Sequence, residues 1–149
     1  MTTLNKILSA ADRTKFATDT GAKMHAILQH ITISDHTNND DAEIISRIKA
    51  NPDILRFFST NSRTEAPIAG TINGRFISRR LDRLVIDPAA QTIAVLDYKT
   101  DTDRTILHNQ YVAQIREYVA LLRTIYPTYK ITGHILWTHD FSLENIPLK

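Results

Sequence analysis

Apolar positions recur along this chain with two different periods, and the change between them falls near Glu65. Up to that point the spacing is helical. Leu4, Ile7, Leu8 and Ala11 mark a weak helix over 2–16, and Met24, Ile27, Leu28 and Ile31 form the apolar stripe of a second helix that starts behind the capping oxygens of Thr18, Asp19 and Thr20. A polar stretch over 34–41 leads to a helix from Ala42 to Lys49, and Pro52 opens a shorter one bearing Ile54, Leu55, Phe57 and Phe58. Beyond Glu65 the pattern predicts three strands, with turns at Asn73-Gly74 and Asp87-Pro88. The helical period returns over 109–125 through Val112, Ile115, Val119, Leu122 and Ile125, Pro127 ends it, and 131–138 reads as a last strand. The expected architecture is one α/β sandwich over 1–149: a mixed sheet, built as an antiparallel meander plus a returning strand, flanked by helices.

Within the predicted strands the charged residues fall into a pattern. Ile93, Val95, Asp97 and Lys99 share one strand face, and Ala94, Leu96 and Tyr98 share the other, because side chains alternate. The turn over 87–91 folds the preceding strand back and brings Asp82 beside Asp97. Asp97 ends an apolar run, so its carboxylate must be paired, protonated or metal-bound. A hard divalent cation such as Mg²⁺, with Mn²⁺ as its substitute, meets that need with oxygen ligands. Lys99 then stands where its ammonium can hold an attacking water or neutralise charge on a phosphate. Taken alone, an Asp-x-Lys tripeptide is more often a solvated strand end. The same alternation puts Arg80 on the Asp82 face and turns Arg79 and Arg83 away, provided that no bulge interrupts the strand.

Composition changes the picture modestly. A net charge of +2 and an isoelectric point near 9.0 are compatible with a polyanionic partner without demanding one. The basic residues matter by position: Arg75, Arg79, Arg80, Arg83, Lys99 and Arg104 are expected to gather around the acidic pair. The absence of cysteine excludes disulfides, a cysteine nucleophile and cysteine-ligated zinc or iron–sulfur sites, and it suits a reducing cytoplasm. No secretory leader, membrane-spanning run or phosphate-binding loop is present, so a cytoplasmic protein without its own ATP motor is expected.

Two further features gain meaning only in combination. Gln114 and Tyr118 stand one helical turn apart on the long helix, with Tyr111 three residues upstream, and His25 lies beside the apolar stripe of its helix. With Gly21-x-x-x-His25, Asp82, Asp97-Tyr98-Lys99-Thr100 and Gln114-x-x-x-Tyr118 in this order, the chain resembles the PD-(D/E)xK nucleases, in particular the RecB and AddA nuclease-domain branch. The resemblance covers most of the chain. It implies that His25, Asp82 and Asp97, with the Tyr98 carbonyl, ligate the metal, and that Lys99 is the catalytic lysine. It implies that Gln114 and Tyr118 shape the site and contact DNA, and that Glu65 matches an acidic residue found before the first strand of such domains. One departure is Arg79, where the family often has glycine. The expected function is metal-dependent hydrolysis of DNA, with a helicase domain or subunit on the same or a neighbouring chain as partner. The alternative is a catalytically silent nuclease-like module that binds DNA or docks to a protein.

Overall fold

The computed structural model describes residues 21–33 and 41–148. The helix expected over 2–16, the capping residues 18–20 and the polar segment 34–40 lie outside the described residues. Helix α1 occupies 21–29, α2 is Ala42–Lys49, and α3 is Pro52–Leu55, which runs into a 3₁₀ turn at Arg56–Phe58. Asn51 starts α3 by accepting a hydrogen bond from the Asp53 amide, and Pro52 fits the first turn, where no donor is needed. Then come β1 (Ser62–Ile72), β2 (Arg75–Asp87), β3 (Thr92–Lys99), α4 (His108–Ile125), β4 (Lys130–Trp137) and β5 (Ser142–Ile146).

The five strands lie in the order β1-β2-β3-β4-β5. Neighbours are antiparallel except β3 and β4, which run parallel because α4 crosses over between them. The mixed sheet, meander and returning strand are therefore present as expected. The fifth strand was not expected. Its sequence, Ser-Leu-Glu-Asn-Ile, is short and mostly polar, and it gains its place by pairing with β4 at the sheet edge. Asn73 and Gly74, with φ of 52° and 76°, make the two-residue turn that joins β1 to β2; positive φ at both positions is what the right-handed twist of a hairpin requires.

Each face of the sheet buries a separate core. Ile93 and Val95 pack with Ile115, Val119 and Leu122 of α4, whereas Ala94, Leu96 and Tyr98 pack with Leu28, Ile48, Phe57 and Phe58. The alternation read along β3 thus divides two hydrophobic layers. At Gly133 the helix comes so close that an added Cβ would lie 2.2 Å from Ile115 Cγ2. That contact seats α4 against β4.

On β2 the alternation changes phase. Ile77 and Leu81 belong to the α4-side core, and so do Leu84 and Ile86, an odd step away, while Arg83 points to the α1 side. The switch falls at Asp82. Opposite it, Glu65 has a φ of 50° and supplies the one missing rung of a ladder that pairs Thr64 with Arg83 and Ala66 with Leu81. A strand distorted at this point turns its carboxylate out of the regular pleat. Arg79 and Arg83, expected on one face, consequently lie on opposite faces.

Candidate active site

The β2–β3 ladder ends at Arg83 with Leu96, one step short of Asp82 and Asp97. Where the strands part, side chains take over from the backbone. The Tyr98 amide donates to Asp82 Oδ2 at 2.8 Å, and the Asp82 and Asp97 carboxyls stand close enough to hydrogen-bond if one holds a proton. Burial, first, and then the adjacent Asp97 push the Asp82 carboxyl up to about 8; the Tyr98 amide opposes this, and Glu65 adds to it. Asp97 is 4 % exposed on the inner face of β3, as its place at the end of an apolar run requires.

Lys99 Nζ lies 2.8 Å from Asp97 Oδ2 and donates to Gln114 Oε1 at 3.0 Å. Gln114 in turn donates from Nε2 to the Tyr118 hydroxyl at 2.8 Å, one helical turn on. The Lys99 ammonium also sits 4.2 Å from the centre of the Tyr111 ring, whose hydroxyl donates to Asp101 Oδ2 at 2.7 Å. Tyr111, Gln114 and Tyr118 therefore make a single wall on α4, with the lysine against it. The Asp97–Lys99 contact is an ion pair by distance, yet Asp97 Oδ2 is buried and receives no directed hydrogen bond.

On the other side, α1 delivers His25. Its Nε2–H donates to the Tyr98 carbonyl at 3.2 Å, and Nδ1 lies 3.6 Å from Asp82 Oδ1. Gly21, one turn earlier, explains the helix approach: a Cβ there would stand 3.2 Å from Thr100 Oγ1. The helix start rests on the strand end that carries Lys99.

The structure brings together His25, Glu65, Asp82, Asp97, the Tyr98 carbonyl, Lys99, Gln114 and Tyr118. It does not bring Arg80 with them. With Arg79 and Leu81 facing α4, the exposed Arg80 projects from the opposite face of β2. Arg79 is the arginine nearer Tyr118, held by Glu117 at 2.7 Å. Nor does Arg83 join a basic rim: it is fully buried, donating to the carbonyls of Leu28, Ile31 and Phe57 and to the hydroxyls of Ser62 and Tyr98. Arg104 is engaged by Asp140 and Ser142. Sequence reasoning missed the anchoring role of Arg83. Its flanks, Leu84 and Val85 in an apolar strand, were the available signal of burial.

The donor set of an imidazole, two carboxylates and a carbonyl suits a hard divalent cation in kind. Two observations agree with that fit: a buried Asp97 oxygen without a directed donor, and an Asp82 carboxyl driven to retain its proton by burial first and then by the adjacent Asp97. Among the described residues, no three His, Asp or Glu side chains already stand in ligating positions. The Lys99 ion pair and the His25–Tyr98 hydrogen bond occupy those directions instead. No helix among the described residues is long and apolar enough to cross a membrane.

No protein-family profile matches the chain, and neither does any curated protein. Among solved structures it is similar to a Eubacterium rectale protein named "Putative exonuclease", with a TM-score of 0.57 and 16 % identity over 88 % of this chain and 59 % of that one. The chain thus spans about three-fifths of that protein's length. At this identity the likeness is one of fold, a mixed α/β sheet flanked by helices.

Proposed function

We propose that this chain is a divalent-metal-dependent deoxyribonuclease domain of the PD-(D/E)xK kind. The observation that carries the reading is the pairing of Asp82 and Asp97 where their strands part, with Lys99 on one carboxylate and His25 beside the other. Two carboxylates facing each other repel, and although Asp82 also accepts from the Tyr98 amide, that role needs only one of them, whereas a phosphodiester-cleaving site needs the pair. Mg²⁺ or Mn²⁺ held by His25, Asp82, Asp97 and the Tyr98 carbonyl would polarise the phosphate and acidify a bound water. Lys99, restrained by Gln114 and the Tyr111 ring, offers a positive charge to the attacking water or to the oxygens of the phosphate in the transition state. Gln114 and Tyr118 keep the lysine aligned and line the approach to it.

The resemblance to the RecB and AddA branch, together with a fold neighbour named as an exonuclease, supports DNA as substrate. A helicase as partner rests on that resemblance alone. One observation favours the silent-module alternative: Lys99 and Asp97 already satisfy each other's charge without any cation. Degradation of linear DNA decides between the two. The proposal expects cleavage with Mg²⁺ or Mn²⁺, none in EDTA, and none by Asp97→Ala at any metal concentration. Cleavage that persists in EDTA, or DNA binding without metal-dependent cleavage, would overturn it.

A further inference from the structure

Past Leu81, β2 no longer pairs with β3 and continues with β1 alone as a two-stranded arm, from Ala66–Leu81 at its base to Ile72–Arg75 at its tip. One face of the arm is anchored: Ile68, Ile77 and Leu81 pack in the α4-side core, and a Cβ on Gly70 would lie 3.3 Å from Leu121. The opposite face carries Phe76, Ser78 and Arg80 on β2, paired across the ladder with Thr71, Ala69 and Pro67. Phe76 is 70 % exposed, and the three residues of β1 opposite this row are too small to cover it. Phe76 belongs to neither core, and its ring is open to solvent.

The charge of the arm is one-sided. Between Ala66 and Leu81 there are three arginines and no carboxylate. Arg79 is engaged by Glu117, but Arg75 and Arg80 make no ion pair among the described residues. An exposed aromatic ring with the free guanidinium of Arg80 on the same face, and that of Arg75 at the arm's tip, matches a single nucleic-acid strand, which offers a base face to stack and phosphates to neutralise. A continuous duplex offers no free base face at that position.

We infer that the β1–β2 arm binds a single-stranded DNA segment, with Phe76 stacking on an unpaired base and Arg80, on the same exposed face, contacting the backbone. The inference rests on the nuclease reading and sharpens it. Phe76 lies six positions from Asp82, or about 20 Å along an extended strand, so the unpaired base is held several nucleotides away from the scissile bond. The preferred substrate is then a DNA end with an overhang, or a single strand, rather than a blunt duplex.

The test uses labelled oligothymidylate of about ten nucleotides, a length within the range that such grooves accommodate, and blunt duplex of matched length, both in Ca²⁺ in place of Mg²⁺. Phe76→Ala is expected to weaken oligothymidylate binding about tenfold and to remove most of the preference for it over duplex. Phe76→Tyr should retain that preference. In Phe76→Trp the indole is placed on the same exposed face, and its fluorescence should be quenched on adding oligothymidylate. Equal affinity of wild type and Phe76→Ala for the single strand, or unchanged Phe76→Trp emission at saturating oligonucleotide, would overturn the arm's role. If these results come with metal-dependent cleavage by the wild type, only the arm inference fails. If the wild type neither binds nor cleaves DNA, the nuclease reading falls with it.

Discussion

The Lys99 ammonium is held 2.8 Å from the Asp97 carboxylate at a site where that carboxylate is 4 % exposed and faces a second acid. The lysine is thus a counter-charge in the metal-free protein and a candidate for transition-state stabilisation in the loaded one. Lys99→Met should lower Mn²⁺-dependent cleavage by roughly a hundred- to a thousand-fold. The same variant should melt below wild type in EDTA and recover most of the difference in Mn²⁺, because a bound cation replaces the missing charge. A variant that melts like wild type in EDTA would show that the ion pair contributes nothing to the metal-free fold.

Asp82 gives the metal-free protein a distinctive pH response. Its carboxyl holds a proton up to about 8 in the folded state and releases it near 3.8 when unfolded, so between these limits the native state binds more protons. Stability from this group is complete at low pH and is lost as pH rises through about 8. Thermal melts in EDTA should therefore show a melting temperature that falls from about pH 5 to pH 8, and Asp82→Asn should flatten the slope. A wild-type slope that Asp82→Asn leaves unchanged would assign the effect to another group.

Arg83 and Arg80 should separate cleanly although they are three positions apart. Arg83→Met leaves three backbone carbonyls and two hydroxyls without their donor, and should cost about 3 kcal/mol or more. Arg80→Ala should change stability by no more than about 0.5 kcal/mol while lowering the log-affinity against log-salt slope for DNA by roughly one. Urea unfolding and a salt titration of DNA binding measure the two effects. Similar stability losses in both variants would contradict the placement of Arg80 on the exposed face.

Gly133→Ala tests the seating of α4. A methyl group there meets Ile115 Cγ2, which must move together with a helix that also carries Gln114, and a loss of about 1–3 kcal/mol is expected. At Gly74 nothing lies within 4 Å of an added Cβ, so Gly74→Ala should cost only the backbone strain of a φ of 76°, about 1 kcal/mol. Equal losses would mean that α4 shifts without penalty.

Much of this architecture was legible because local rules and tertiary packing agree. Period-two spacing on β3 separated Val95 from Leu96, and the two cores divide between the same residues. The Asn73-Gly74 turn was readable from the backbone angles these residues tolerate. The order of His25, Asp82, Asp97, Lys99 and Gln114 anticipated which side chains would meet. What failed was alternation along β2, because the phase change at Asp82 comes from pairing opposite Glu65 and leaves no local trace in the sequence. Arg83 was misplaced for that reason. Five acceptors from four distant segments satisfy it, and sequence spacing carries no information about such a convergence. Strand β5 escaped notice because an edge strand of this length needs its neighbour more than it needs apolar residues.

The hydrogen bond from the Tyr98 amide to the Asp82 carboxylate has a bearing on how sequences of this kind are read. At that rung a side chain does the work of a backbone carbonyl, so the sheet demands an oxygen at position 82 whether or not any chemistry takes place there. A descendant that had lost all activity would still keep aspartate or asparagine at this position to avoid stranding a buried amide. Position 82 therefore reports on the fold. Lys99 satisfies no backbone group, and whether a lysine survives there is the better sign of whether a chain with this architecture still does chemistry.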